Sequence, residues 1–422
     1  MRRRFSGCEG GNGIIIGAME RIGLKRTITL PLLTLYGLGN ILGAGIYVLV
    51  GKVAGVAGYG VPLAFLVASV VAGISAFSYA ELAARFPKSA GEAVYLQAGF
   101  GRQWLSMLTG LAIALAGMIS AAVLARGFSG YLGVLMTAPA GVVSTVLLIS
   151  LGLLAFWGIK ESLHVAAVFT LVEIGGLLLI VWLARGSFGT LPEHLGEMFP
   201  LRREAWQGVF IGAFLAFYAY IGFEDMVNVA EEVYQPARNF PLAIGLALLV
   251  ATVLYISVAT VAVLTIPPTM LATKEAPLAA VYQLSTGKTP HLISFIGMFA
   301  VVNGALIQII MASRILYGLS CNGWLPGWFG RVHPLTQTPA NATYLVTTVV
   351  ILMALAFPLE KLAAGTSTLV LMVFTLVNIA LIRIKQKRKA VPGILLVPDW
   401  LPWMGWVLSL GLLAFQVVFL FA

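Results

Sequence analysis

A chain of 422 residues, 60% hydrophobic and only 10% charged, is not a water-soluble globular domain, in which about a quarter of residues carry charge. Its formal net charge of +10 does not mark a nucleic-acid binder, because the basic residues gather on one side of a predicted membrane, as the positive-inside rule describes. Four scattered histidines offer no metal-ligand spacing, so neither a metal nor another cofactor is expected.

The chain opens on Arg2, Arg3 and Arg4, but no apolar segment of signal-peptide length follows. Residues 1–24 are therefore expected to form a disordered cytoplasmic tail, with Met19 as a second plausible start. A crossing needs about 20 mostly apolar residues. Eleven runs qualify: 30–50, 60–86, 104–124, 140–157, 164–184, 208–230, 240–266, 292–313, 342–357, 362–382 and 401–422. A polar stretch, 185–206, separates the fifth from the sixth. With the N-terminus inside, eighteen of the 26 Lys and Arg residues fall on the inner side and eight on the outer. This predicts an integral plasma (inner) membrane protein, multi-pass, with its N-terminus cytoplasmic and its C-terminus outside. Cys8 and Cys321 both fall on the cytoplasmic side, where a disulfide is not expected.

Two runs are interrupted. In the first, Leu38-Gly39-Asn40-Ile41-Leu42-Gly43-Ala44-Gly45-Ile46-Tyr47 places three glycines and an asparagine near mid-depth. Each glycine costs up to about 1 kcal/mol of helix propensity relative to alanine. The stretch reads either as a close-packed helix or as a helix broken at a binding site. In the sixth, aromatic residues from Phe214 to Tyr220 lead into Gly222, and Glu224 and Asp225 follow. Interruptions five spans apart point to a transporter made of inverted repeats. The boundaries expected are a first five-helix repeat with its outer loop over 25–206, a second over 207–386, and a basic loop with an eleventh helix over 387–422. The fold class is thus an all-α polytopic membrane protein with a 5+5 inverted repeat, broken first and sixth helices and one extra C-terminal helix.

Five motifs, in order along the chain, resemble the amino acid–polyamine–organocation permease family, whose fold is similar to that of the leucine-type sodium symporters. They are Ile41-Leu42-Gly43-Ala44-Gly45-Ile46-Tyr47; Tyr79-Ala80-Glu81-Leu82 with Phe86-Pro87-Lys88-Ser89-Ala90-Gly91-Glu92; Phe217-Tyr218-Ala219-Tyr220-Ile221-Gly222-Phe223-Glu224; Glu231-Glu232-Val233-Tyr234-Gln235-Pro236; and Ser313-Arg314-Ile315-Leu316-Tyr317 with Asn322-Gly323-Trp324-Leu325-Pro326. A further stretch, 125–132, is nearest the cationic amino acid transporter branch. The resemblance implies a secondary active amino-acid permease that works by alternating access, with a small-molecule substrate, the lipid bilayer and a proton as partners.

The chemistry of such a site follows from the two breaks. A half-helix starting at Gly43-Ala44-Gly45 turns free N–H groups and its positive dipole end toward a carboxylate. A half-helix ending near Phe217, Tyr218 and Ile221 exposes carbonyls to an ammonium. Ile41, Gly43, Ala44, Gly45, Ile46, Phe217, Tyr218 and Ile221 are accordingly the expected substrate-binding residues. Glu173 stands in the fifth span where many family members carry lysine. A carboxyl at mid-bilayer is costly to ionise, so Glu173 reads as a proton carrier, a cation ligand or a neutral structural acid. No Ser or Thr occurs over 295–312, which disfavours a sodium site of the symporter type and favours protons or exchange. Asn303 and Gln308 are the polar groups there, as path-lining residues or as interhelical hydrogen-bonding partners. Glu224 is expected as a structural or gating acid, and Asp225 as the partner of a cationic side chain. The third span has no ionisable residue over 111–123, with Ala116 where cationic relatives often carry an acid, which suits a neutral side chain. The alternatives are a polyamine or organic-cation transporter, or a transport-dead sensor or subunit. An enzyme is disfavoured: Gly127-Phe128-Ser129-Gly130 lacks the second spacer of a nucleophile turn, and no His-Glu-x-x-His motif exists.

Overall fold

The computed structural model describes residues 28–43, 45–87, 91–157, 163–200, 203–333, 336, 338–387, 394 and 396–421. The expected tail over 1–24, Cys8 and Ala44 lie outside the described residues.

The apolar runs fold as helices, as buried backbone in lipid requires. Helix α1 (Leu30–Leu42) starts with a proline in its first turn, where the missing N–H has no intrahelical use. After Gly43 and Ala44 the chain resumes in α2 (Gly45–Ala57), and a single 3₁₀ turn at Gly58–Gly60 leads to α3 (Val61–Arg85). Helix α4 (Gly91–Phe100) is short; α5 (Gln103–Gly133) is long. Next come α6 (Ala140–Trp157) and α7 (Leu163–Leu183), then a 3₁₀ segment (Ala184–Thr190) and α8 (Leu191–Met198), which account for much of the polar stretch. Helix α9 (Arg203–Phe217) gives way to two 3₁₀ segments, Tyr218–Tyr220 and Glu224–Glu232, in place of a continuous sixth helix. The remainder is α10 (Pro236–Thr265), α11 (Pro268–Leu271), α12 (Pro277–Thr286), α13 (His291–Cys321), α14 (Ala340–Ala356), α15 (Leu359–Lys387) and α16 (Trp400–Phe421). Among the described residues strand pairing is limited to one isolated bridge, Ile28 with Val233. Eight of the described helical stretches are long and apolar enough to cross a membrane, one of them running from Leu30 to Arg85.

Burial is inverted relative to a soluble bundle. Val142, Val146, Ile149, Leu153 and Trp157 are all exposed on α6, at spacings of three and four that put them on one face. An apolar stripe facing outward suits lipid. Inside, several buried polar groups are tied to one another. Ser78 Oγ donates to Asn378 Oδ1 at 2.6 Å, Asn378 Nδ2 donates to Ser75 Oγ at 3.1 Å, and Ser75 meets Ser409 at 3.3 Å. This chain of contacts joins α3, α15 and α16. Nearby, the fully buried Glu81 carboxylate receives Arg85 Nη2 at 2.6 Å, Lys385 Nζ at 3.2 Å and the Val397 N–H at 2.9 Å. Lys385 also donates to the Val397 carbonyl and reaches Asp399 at 3.0 Å. Helices α5 and α13 pack along one another, and α10 lies against both α1 and α3, which sets α3, α5, α10 and α13 around the interrupted segments.

Candidate substrate site at two helix interruptions

The interruption in the sixth segment is marked. Ile221 is extended (φ −67°, ψ 137°) and Gly222 has φ +128°, a conformation that side chains resist. Gly222 also lies against α1: a Cβ there would come within 2.7 Å of the Asn40 carbonyl. The interruption in the first is slighter. Gly43 keeps right-handed helical dihedrals (φ −47°, ψ −56°) before α2 begins at Gly45. Gly45 faces the other interruption directly, since a Cβ on it would overlap Cα and Cβ of Ala219. Of the two roles open to these glycines, packing is seen directly: Gly45 is a packing surface between the first segment and the sixth.

A narrow cavity opens where they meet. Ile41, Gly43, Gly45, Tyr218 and Ile221 line it, together with Asn40, Ser120, Leu124, Gly304, Ile307 and Gln308. Of the residues expected to bind substrate, Ile46 and Phe217 are fully buried and do not line it, and Ala44 lies outside the described residues. Phe217 packs edge-on against Phe374, ring centroids 5.7 Å apart. Across the cavity, the Tyr218 and Ser120 hydroxyls hydrogen-bond at 2.8 Å, tying the sixth segment to α5.

A second narrow cavity adjoins the first, sharing Ser120, Ile221 and Gln308 with it. Its walls are mostly apolar, from Ile113, Ala116, Met311, Ile315 and Val370, with Glu224, Asp225 and Thr366 added. Ala116, singled out for its missing charge, is thus a wall residue. Glu224 Oε2 accepts the Gly222 N–H at 2.9 Å, so this acid caps a backbone donor freed by the interruption. Asp225 was given a cationic partner by the sequence; the structure brings it the amide of Gln308, Nε2 to Oδ2 at 3.2 Å. Gln308 therefore both lines the path and bonds between segments.

Glu173 lines neither cavity. It is 1% exposed, and neither carboxyl oxygen has a hydrogen-bond partner. The Tyr47 hydroxyl donates to its backbone carbonyl at 2.9 Å, and Tyr131 in turn donates to the Tyr47 carbonyl at 2.6 Å. Helix α7, which carries Glu173, packs against α1 and α13.

Sequence reasoning missed three residues. Asn40 lines the first cavity with its Nδ2 unpartnered. Ser120 joins both cavities. Tyr255 on α10 reaches the carbonyls of both interrupted segments, Ile41 at 2.6 Å and Ala219 at 2.9 Å. Asn40 was visible as a polar residue within an apolar run; the other two gave no signal, because serine and tyrosine are ordinary in membrane helices.

A helical bundle with an apolar exterior, and with residues from two interrupted segments around one internal cavity, defines a polytopic membrane protein. The profile of the amino acid permease family matches residues 28–422, and the chain belongs to that family. It is 30% identical over 393 residues to the branched-chain amino acid permease BcaP of Bacillus subtilis (strain 168), covering 87% of this chain and 83% of that one. It is 31% identical over 385 residues to the vacuolar cationic amino acid transporter 2 of Arabidopsis thaliana, covering 85% of this chain but only 60% of that relative. The methylthioribose transporter of B. subtilis (strain 168) is 29% identical over 395 residues, 89% of this chain and 84% of the other. The protein is an amino-acid transporter of this family.

Proposed function

We propose that the cavity between the two interruptions holds the head group of an amino acid. The N–H groups that begin α2 take the carboxylate, and the carbonyls that end α1 and α9 take the ammonium. The observation that carries this reading is convergence: Ile41, Gly43 and Gly45 from one interruption and Tyr218 and Ile221 from the other line one cavity. The second cavity takes the side chain, and its apolar walls around Ala116 suit a neutral one. Transport runs by alternating access across a bundle of eleven crossings in a 5+5 repeat, with the Leu30–Arg85 stretch divided into two crossings and the N-terminus inside. Glu173 carries the coupling proton. A carboxyl buried with both oxygens unpartnered is costly to ionise and inexpensive to protonate, which supports that role. A second reading, an organic cation as substrate, draws on Glu224 and Asp225 in the second cavity.

Uptake into proteoliposomes decides among these. A panel of labelled amino acids is offered with and without a pH gradient, inside alkaline. Accumulation of at least one, stimulated by the gradient, is expected. Glu173→Gln is expected to abolish the gradient's effect while leaving substrate binding measurable, and unchanged driven uptake in that variant removes Glu173 from the coupling. Competition by a polyamine that has no carboxylate, with none by any amino acid, favours the second reading.

A further inference from the structure

The Tyr255 hydroxyl lies within hydrogen-bonding distance of two carbonyls that belong to different helices, Ile41 at the end of α1 and Ala219 just past the end of α9. Both carbonyls sit at interruptions, where the main chain loses its normal i+4 donors. The hydroxyl has one proton, so it serves one carbonyl at a time while holding both within reach of a single oxygen. Its ring is fixed. Tyr255 is fully buried, with Tyr220 edge-on at 5.2 Å and Phe65 edge-on at 5.7 Å. Each carbonyl has two lone pairs, so a hydroxyl on one side leaves capacity for a second donor. Ile41 lines the cavity, and Ala219 is packed on Gly45, which lines it too, so the two carbonyls that Tyr255 gathers belong to the segments that border the space assigned to the head group.

We infer that Tyr255 is a positioning residue for substrate amine recognition: it converges the Ile41 and Ala219 carbonyls so that an incoming ammonium meets them already aligned. This rests on the proposal that the cavity binds an amino-acid head group. Without the hydroxyl, two carbonyl dipoles pointing at one place repel and splay, and an ammonium must draw them back on binding. A carboxylate with no amine makes no use of that alignment. The residue therefore governs how strongly the site prefers an amino acid over the same acid lacking its amine.

The test reads that preference as a ratio within each variant. The purified full chain is titrated with the twenty standard L-amino acids, then with the tightest binder and its des-amino counterpart. Wild type is expected to prefer the amino acid strongly, and Tyr255→Phe to reduce that preference at least tenfold, mostly by weakening amino-acid binding. Tyr131→Phe, which removes a comparably buried hydroxyl-to-carbonyl bond outside the cavity, is expected to leave the ratio within about threefold of wild type. If Tyr255→Phe is not recovered folded, Tyr255→Met, which also lacks the donor, is read in the same way. A preference that is unchanged or increased without the hydroxyl overturns the inference while leaving the head-group site intact. A wild type that binds none of the twenty, or that shows no preference for the amine, overturns the head-group site and the inference with it.

Discussion

Gly45 is where the two interrupted segments touch, and it separates two roles that a glycine can play in a membrane helix. A methyl group there overlaps the backbone of Ala219, whereas one on Gly43 finds its nearest neighbour, the Ala300 carbonyl, at 3.5 Å. Gly45→Ala is thus expected to push the segments apart and lower the melting temperature of the detergent-solubilised protein, at an overpacking cost of about 1–3 kcal/mol. Gly43→Ala is expected to melt near wild type and to reduce uptake only through cavity space. Equal melting of the two variants would contradict the close approach. The pair of glycines was legible because each stands out in an apolar run. What Gly45 packs against was not, because Ala219 is an alanine among aromatic residues and its contact is main chain. Tyr255 was illegible for the same reason: backbone carbonyls leave no trace in a sequence, so a side chain that reads only carbonyls has no visible partner. Asp225 accepts from the Gln308 amide, a contact between segments far apart in the chain that residue spacing does not reveal.

Among whole elements, α16 shows how a C-terminal helix is held without belonging to either interrupted segment. Asn378 links α15 to Ser75 and Ser78 of α3, Ser75 reaches Ser409 of α16, and Glu81 gathers Arg85, Lys385 and the Val397 N–H just before α16 begins. The two linkages differ in kind. Asn378→Ala removes neutral hydrogen bonds within a membrane, each worth about 0.6–2 kcal/mol. Glu81→Gln strips a buried carboxylate from two cations, which costs about 3 kcal/mol even with Asp399 still beside Lys385. The Glu81 variant is therefore expected to melt below the Asn378 variant, and the reverse order would show the ion cluster to be dispensable. Composition revealed that the run over 401–422 is helical in length and apolarity, but not what docks it. The 3₁₀ segments and α8 were also invisible, since short polar turns carry neither the 3.6-residue period nor a run long enough to register. The helix α5 overshoots its predicted run, 104–124, and continues to Gly133. Arg126 sits in the extension, where its guanidinium donates to the Ala354 carbonyl at 2.6 Å near the end of α14, so this charge caps a helix end.

At the scale of the molecule, the sequence spoke most clearly about membrane residence, because lipid imposes its demands on composition itself. Orientation is open to direct measurement. Arg102, before α5, and Lys288, before α13, are both exposed and are assigned to opposite sides. In a background with Cys8→Ser and Cys321→Ser, Lys288→Cys is expected to react with a membrane-impermeant maleimide on intact cells, and Arg102→Cys only after permeabilisation. The opposite pattern would invert the topology.

The two cavities meet at Ser120, Ile221 and Gln308, and that shared neck has an evolutionary corollary. The chamber assigned to the head group counts Gly43, Gly45 and Gly304 among its bounding residues, where only the main chain can meet a ligand, while the adjoining one is walled by replaceable side chains such as Ala116, Met311 and Val370. Selectivity can then drift, or be redesigned, one wall residue at a time, without disturbing the part of the ligand that all amino acids have in common. A single scaffold partitioned in this way is well suited to diversify into transporters for many cargoes.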